Sequence, residues 1–137
     1  MKKKVYLSGG MADISFEESN EWRKYVAEKL GDCADVFNPN DYYNYDHPEW
    51  FDSEREVMIF DLHHLRDSKL VIVNFNVPKS VGTAQELALA YEWCIPIIGL
   101  NIDNNEIHPW LEYECTKVFT DIDELVDYVR VYYLGGM

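Results

Sequence analysis

The stretch that decides the fold is residues 70–93, which read LVIVNFNVPKSVGTAQELALAYEW. Its first four residues are all apolar, which is typical of a strand buried on both faces. A short loop follows, and apolar residues then recur at helical spacing up to Trp93. Ser80 is a favourable N-cap residue, so we expect the helix to begin directly after it. The expected inner face of this helix consists of Val81, Ala84, Leu87, Ala88 and Tyr91.

The same alternation of strand and helix extends along the rest of the chain. A short apolar run at residues 5–8 is followed by two glycines, and Trp22, Val26 and Leu30 then recur at helical spacing. The expected strands cover residues 5–8, 35–38, 70–73, 95–100 and 117–119. Strands that alternate with helices in this way predict an α/β fold: a parallel sheet of about five strands with helices on both faces.

Composition narrows the class of protein. A chain of 137 residues with 47% apolar residues is expected to form a single domain, residues 1–137. Its formal net charge of -13 argues against nucleic acid as a partner, because phosphate contacts need clustered lysines and arginines. No apolar run has membrane-spanning length and no signal peptide is visible, so we expect no membrane partner. The three cysteines are far apart in the sequence, which predicts reduced thiols in the cytoplasm.

The predicted sheet brings three polar segments to one edge. In parallel α/β sheets a ligand binds outside the carboxyl ends of the strands, near the point where the strand order switches. The segments that follow three of the expected strands are Ser8-Gly9-Gly10, residues 74–83 and Asn101. We therefore expect them to surround one cleft.

Two carboxylates occupy unusual positions in the predicted helices. Asp61 interrupts the apolar face of the helix that begins near Ser53, and Glu86 lies about one turn into the next helix. Each alone is explained as a solvent-exposed residue. Together with Tyr6 they fit a second interpretation, in which one carboxylate attacks an anomeric carbon and a protonated carboxyl donates to the leaving group. A tyrosine hydroxyl can orient the nucleophile.

The loop between these elements, residues 80–83, also has two interpretations. A serine hydroxyl and free amides at a helix N-terminus form an anion site. The same residues form an ordinary helix cap, and the sequence alone does not separate the two.

Residues 40–52 form a loop that is unusually rich in aromatic side chains. The rings belong to Tyr42, Tyr43, Tyr45, Trp50 and Phe51. They either staple the loop to the body of the protein or form a lid that stacks on a planar ligand. Neither the cysteines nor the four histidines have the spacing of a metal site, so we expect no metal and no cofactor.

At these residues the sequence resembles the nucleoside 2-deoxyribosyltransferase family, which includes the 2'-deoxynucleoside 5'-monophosphate N-glycosidases. The resemblance lies in VYLSGG at residues 5–10, in Asp61-Leu62 before an apolar strand, and in SVGTAQELALA at residues 80–90. It implies a flavodoxin-like or Rossmann-like sheet. It also implies an enzyme that cleaves the N-glycosidic bond of 2'-deoxynucleosides or their 5'-monophosphates, by transfer to another base or to water.

The resemblance also implies roles for individual residues. By position, Glu86 is the nucleophile that attacks C1' of the deoxyribose, Asp61 is the acid that protonates the departing base, and Tyr6 orients Glu86. The implied substrate contacts are Ser8, Gly9, Gly10, Ser80, Gly82 and Thr83. The implied partner is a small-molecule deoxynucleoside or deoxynucleotide. A homodimer or larger homo-oligomer is implied too, because family members tend to complete the site with residues of a neighbouring subunit.

The resemblance leaves the 5' group of the substrate open. Family members that use free nucleosides tend to have an aspartate at the position of Ser80, whereas the monophosphate hydrolases have a serine. A fixed carboxylate repels a phosphate, while a hydroxyl at a helix N-terminus can bind one. Ser80 therefore indicates a 5'-monophosphate, but Gly10 indicates the opposite, because the hydrolases often have a phosphate-binding serine there.

Two further functions fit the same sequence. The first is a non-catalytic module of the same fold that binds or senses a nucleotide or nucleotide-sugar, with Asp61 and Glu86 retained for binding. The second is an interaction protein whose aromatic loop docks a partner. Turnover of a deoxynucleoside separates the enzyme from both.

Overall fold

Strands and helices alternate in the order that the sequence predicts. The structure is a computed structural model that describes residues 1–135, so residues 136 and 137 of the predicted domain lie outside the described residues. The strands are β1 (Lys3–Gly9), β2 (Ala34–Phe37), β3 (Leu70–Asn74), β4 (Ile97–Leu100) and β5 (Lys117–Phe119). The α-helices are α1 (Phe16–Leu30), α2 (Glu54–Arg66), α3 (Val81–Glu92), α4 (Pro109–Glu114) and α5 (Ile122–Tyr132). Two short 3-10 helices, Pro39–Asp41 and Pro48–Trp50, lie between β2 and α2.

The sheet is parallel throughout and has the strand order β2-β1-β3-β4-β5. The apolar run at residues 70–73 forms the central strand, so the predicted α/β fold is confirmed. From β1 the chain passes to β2 on one side and then crosses to β3 on the other. The strand order therefore switches between β1 and β3, where Gly9 pairs with Asn74 at the carboxyl ends.

Each face of the sheet is covered by its own layer of helices. The core on one side joins the sheet to α1 and α5, and the core on the other side joins it to α2 and α3. Successive side chains of a strand point to opposite faces, so Val5 and Leu7 lie in the first core and Tyr6 in the second. This alternation directs Tyr6 towards α2 and α3.

The predicted inner face of α3 is largely wrong. Thr83, Leu87 and Ala90 are the buried residues, whereas Val81 and Tyr91 are 71% and 55% exposed. The buried positions follow helical spacing but are rotated from the predicted ones. Most residues of this helix are apolar, so the sequence has no clear polar stripe that would mark its outer side.

Candidate active site

A cleft of about 730 Å³ opens at the switch in strand order. Its walls are the end of β1, one face of α2, the first turns of α3 and Tyr45 of the aromatic loop. Among the predicted site residues, Gly9, Asp61, Ser80, Gly82, Thr83 and Glu86 line it directly. Tyr6 and Ser8 do not line the cleft, but both form hydrogen bonds to Glu86, which does.

The Glu86 carboxylate is held by two hydroxyl groups of β1. The Tyr6 hydroxyl donates to Oε2, and Ser8 Oγ donates to Oε1 at 2.7 Å. Both donors come from the same face of the strand because they are two residues apart. Ser8 is buried, so in this structure its hydroxyl serves the carboxylate.

These donors act against the cost of burying the carboxylate. Burial raises the pKa of Glu86, and the hydrogen bonds from Tyr6 and Ser8 lower it again, as does the positive charge of Arg23. Burial also raises the pKa of Tyr6 well above its usual range, so this tyrosine remains a donor at any working pH. The net effect raises the pKa of Glu86 above its usual value, while the two hydroxyl donors orient both oxygens and offset part of the cost of ionisation.

Asp61 has a different environment. It is buried on α2, and its Oδ2 accepts a hydrogen bond from the Tyr43 hydroxyl. Within residues 1–135 its Oδ1 has no hydrogen-bond partner, although this oxygen is buried too. Burial is the main cause that raises the pKa of Asp61 from 3.8 to about 7, and the Glu86 carboxylate adds to it. The free oxygen is thus the position for a transferable proton.

Ser80 caps α3 and keeps its own proton available. Its Oγ accepts from Thr83 N at 3.3 Å and from Thr83 Oγ1 at 3.0 Å. A hydroxyl has two acceptor positions and one donor, so the proton of Ser80 is left to donate into the cleft. Gly82 is exposed beside it, with open space where a side chain would stand.

The two glycines at the end of β1, Gly9 and Gly10, are required by packing inside the protein. A Cβ at Gly9 would lie 3.1 Å from the Trp22 ring and 3.2 Å from the carbonyl oxygen of Asn74. A Cβ at Gly10 would lie 2.4 Å from the Cβ of Val77, so no side chain fits there. Gly9 still borders the cleft, but the space at Gly10 is occupied by Val77 and not left for a sugar.

The aromatic loop is stapled to the body of the protein, as one of its two interpretations predicts, and its role as a lid over a planar ligand stays a prediction. Tyr42 stacks on Phe37 at a centroid distance of 5.3 Å, and Tyr43 is 5% exposed, so these rings staple the loop to the body. Tyr45 packs edge-to-face on Tyr43 at 5.6 Å and lines the cleft. The sequence did not single out Tyr43 as the partner of Asp61. In the sequence, Tyr43 is only one of several tyrosines in the loop, and nothing there distinguishes it from the others.

The described residues contain neither a cluster of metal-binding side chains nor a membrane-spanning helix. In the part of the chain that the structure describes, no group of three or more His, Cys, Asp or Glu residues could hold a metal ion. None of the helices formed by residues 1–135 is long and apolar enough to cross a membrane. The cytoplasmic location stays a prediction.

The fold is similar to several solved structures. A conserved protein from Enterococcus faecalis V583 has a TM-score of 0.79 at 13% identity, over 96% of this chain and 99% of that chain. A 2-deoxyribosyltransferase from Bacillus psychrosaccharolyticus has a TM-score of 0.72 at 20% identity, over 91% of both chains. A CMP N-glycosidase from Clostridium botulinum has a TM-score of 0.66 at 18% identity, over 95% of this chain and 99% of that chain.

At the level of sequence, no protein-family model and no curated protein matches the chain. The structural similarity nevertheless extends over nearly the whole chain and over the switch point that holds the cleft. The chain therefore has the α/β fold of the nucleoside 2-deoxyribosyltransferases, as the resemblance in the sequence predicts.

Proposed function

We propose that the protein is an enzyme of the nucleoside 2-deoxyribosyltransferase family that cleaves the N-glycosidic bond of 2'-deoxynucleosides or their 5'-monophosphates. The observation that carries this proposal is the pair of unequal carboxyl groups in one cleft. Glu86 accepts two hydroxyl donors, while Asp61 is buried with one free oxygen. A carboxylate held by hydroxyl donors beside a buried carboxyl with a raised pKa is the arrangement expected of a nucleophile and an acid.

The reaction follows from this pair. Glu86 attacks C1' of the deoxyribose and forms an ester, while the bond from C1' to the base nitrogen breaks. Asp61 gives its proton to the departing base and becomes a carboxylate. In the second half, water or another base gives a proton to Asp61 and attacks C1', which releases Glu86. Tyr6 and Ser8 hold the nucleophile in place through both halves.

The structural neighbours support the same class of chemistry. One is a 2-deoxyribosyltransferase and another a CMP N-glycosidase, so this fold supports both transfer and hydrolysis of a glycosidic bond. Because their identities to this chain are 20% and 18%, the proposal depends on the cleft residues and not on the names.

The direct test is incubation with each deoxynucleoside and each deoxynucleoside 5'-monophosphate, with and without an acceptor base, followed by chromatography. Free base without an acceptor identifies a hydrolase, and a new nucleoside only with an acceptor identifies a transferase. Binding without turnover of any substrate would contradict the proposal and favour the sensing module.

Ser80 supports a 5'-monophosphate as the substrate. Its free proton and the first amides of α3 can donate to phosphate oxygens, and Lys79 is exposed next to it. We expect Ser80→Asp to raise KM for the monophosphate about tenfold or more, because a carboxylate in place of the hydroxyl repels the phosphate. The KM for the free nucleoside should stay equal or fall.

Ser80→Asn is the matched control for this substitution. Aspartate and asparagine both cap helices well, so α3 is preserved in each variant and only the charge differs. The ratio of the two kcat/KM values should change in Ser80→Asp and much less in Ser80→Asn. Equal ratios in the two variants would exclude a phosphate at this position.

The subunits are proposed to form a homo-oligomer. Helix α3 packs against both α2 and α4. The three helices carry large exposed apolar side chains. These residues are Met58, Ile59, Val81, Tyr91, Trp110 and Tyr113. Met58 and Val81 also line the cleft, so a partner on this surface would close it. Light scattering should give at least twice the mass of one chain, and the mass of a monomer would contradict the proposal.

A further inference from the structure

Arg23 is the largest fully buried side chain among the described residues. It lies on α1, on the opposite side of the sheet from α3, and none of its surface is exposed. Arginine is seldom fully buried without a paired carboxylate, because removing its charge from water is costly. Its position therefore needs an explanation that packing alone does not supply.

The contacts of the guanidinium are all uncharged. One terminal nitrogen donates to the carbonyl oxygen of Gly9 at 3.0 Å, and the other donates to the carbonyl oxygen of Ser19. The group also lies over the Trp22 ring, 4.8 Å from its centroid. Across residues 1–135, Arg23 forms no ion pair and its Nε has no hydrogen-bond partner.

The carboxyl groups that act electrostatically on Arg23, Glu86 and Asp61, line the cleft that Gly9 also borders. Burial lowers the pKa of Arg23, and the largest influence in the other direction is the Glu86 carboxylate. The effect is mutual, because the charge of Arg23 lowers the pKa of Glu86. The peptide of Gly9, to which Arg23 donates, is the last of β1 and borders the cleft.

We propose that Arg23 is a positioning residue of this site, which fixes the Gly9 peptide at the end of β1 and stabilises the ionised carboxylate of Glu86 with its charge. This inference rests on the proposed function, in which ionised Glu86 is the nucleophile. A direct ion pair would occupy the carboxylate oxygens and weaken the nucleophile. Arg23 donates to Gly9, and the neighbouring Ser8 donates to Glu86, so the end of β1 separates the charge from the carboxylate. A charge in that position favours the ionised form without forming a direct bond to the oxygens that must react.

Several other polar groups surround Glu86, and the test must separate them from Arg23. From β1 come the two hydroxyl donors, from the aromatic loop two tyrosines, and from α2 three charged or titratable side chains. These groups are Tyr6, Ser8, Tyr43, Tyr45, Glu54, Arg55 and Asp61. Arg55, the other cation near Glu86 among the described residues, is exposed on the rim of the cleft, whereas Arg23 is fully buried.

The experiment measures the pKa of Glu86 directly and does not depend on turnover. The side-chain carboxyl carbons of glutamate are labelled with 13C, and the Glu86 signal is identified by its loss in Glu86→Gln. In Arg23→Gln we expect the midpoint of this signal to rise by about one pH unit, because an opposite charge that favoured the ionised form is gone. The apparent pKa on the acidic side of the pH profile of kcat/KM should rise by the same amount.

Lys24→Gln is the matched control, because it removes one positive charge from the neighbouring, exposed position of α1. It should leave the midpoint of Glu86 unchanged. Arg23→Met removes the charge without introducing a buried amide and replaces Arg23→Gln if that variant does not fold. Circular dichroism and thermal unfolding establish that the variants compared are folded.

The outcomes separate the two proposals. A raised midpoint in a folded Arg23 variant supports the role of Arg23, even if no deoxynucleoside is turned over, in which case only the proposed function fails. An unchanged midpoint in a folded variant overturns the role of Arg23. Loss of activity with an unchanged midpoint also overturns it, because a purely structural residue gives that result.

Discussion

Glu86→Gln is expected to reduce the release of base from a deoxynucleoside or its monophosphate by about four orders of magnitude or more, because it removes the nucleophile. The amide has nearly the same shape as the carboxylate, and its oxygen can still accept a hydrogen bond from Tyr6. The Ser8 hydroxyl can rotate to accept a hydrogen bond from the new NH2 group. We therefore expect an inactive protein with an unchanged fold. Chromatography of the free base and circular dichroism measure the two properties.

The control for this variant is Glu92→Gln, which makes the same change at an exposed residue at the end of the same helix. It should keep full activity. A second measurement looks for the ester itself: a 2'-fluoro-arabinonucleoside should add the mass of the fluorosugar to the peptide that contains Glu86. Activity of Glu86→Gln within tenfold of the wild type would reject Glu86 as the nucleophile.

The positions of Tyr6, Asp61 and Glu86 could be predicted from the sequence because these residues lie on regular elements. Glu86 lies a fixed number of residues after the N-cap Ser80, and Tyr6 lies on a strand whose side chains alternate between the two faces. The order of strands and helices then brings both to the same edge of the sheet. Asp61 was found by the same logic, as a polar residue at a buried helical position.

The supporting residues could not be predicted in this way. Tyr43 lies in an irregular loop, where spacing in the sequence does not give direction in space. Arg23 falls on the buried face of α1, three residues before Val26, but an arginine is ordinarily expected to reach solvent. The spacing does not reveal that its guanidinium turns to the carbonyl oxygen of Gly9. The contact of Gly10 with Val77 joins two loops, so it too depends on tertiary structure.

The inner face of α3 shows a different limit. A hydrophobic pattern gives a helix face only when polar residues mark the opposite side. In α3 the apolar residues nearly surround the helix, and its outer side remains apolar at Val81 and Tyr91. That ambiguity is itself informative, because an apolar outer side fits the proposed contact with a second subunit.

Asp61→Asn is expected to abolish most activity and yet to stabilise the protein, and the stabilisation should depend on pH. Burial raises the pKa of Asp61 in the folded protein to about 7, whereas the unfolded chain has the ordinary value of 3.8. Between these values the unfolded chain releases the proton and the folded protein retains it. The free energy of unfolding of the wild type therefore falls as the pH rises from about 4 to 7, and this contribution is lost above pH 7.

Asparagine does not titrate, so the variant lacks this loss. One pKa unit corresponds to about 1.4 kcal/mol, so the stability gained by Asp61→Asn should be larger at pH 8 than at pH 5 by about 2.6 kcal/mol. Urea unfolding of both proteins at the two pH values measures the difference, in which other titrating groups cancel. Asp127→Asn, the same change at an exposed position of α5 away from the cleft, is the control and should leave the activity unchanged.

Activity and stability must change together for Asp61 to be the acid. A proton donor at neutral pH requires a raised pKa, and the burial that raises it also destabilises the folded protein once the proton has left. If the stability gain of Asp61→Asn were equal at pH 5 and pH 8, the carboxyl would be ionised at neutral pH and unable to protonate a base. The departing base would then need another donor, and the two-carboxyl mechanism would fail even if Glu86 were the nucleophile.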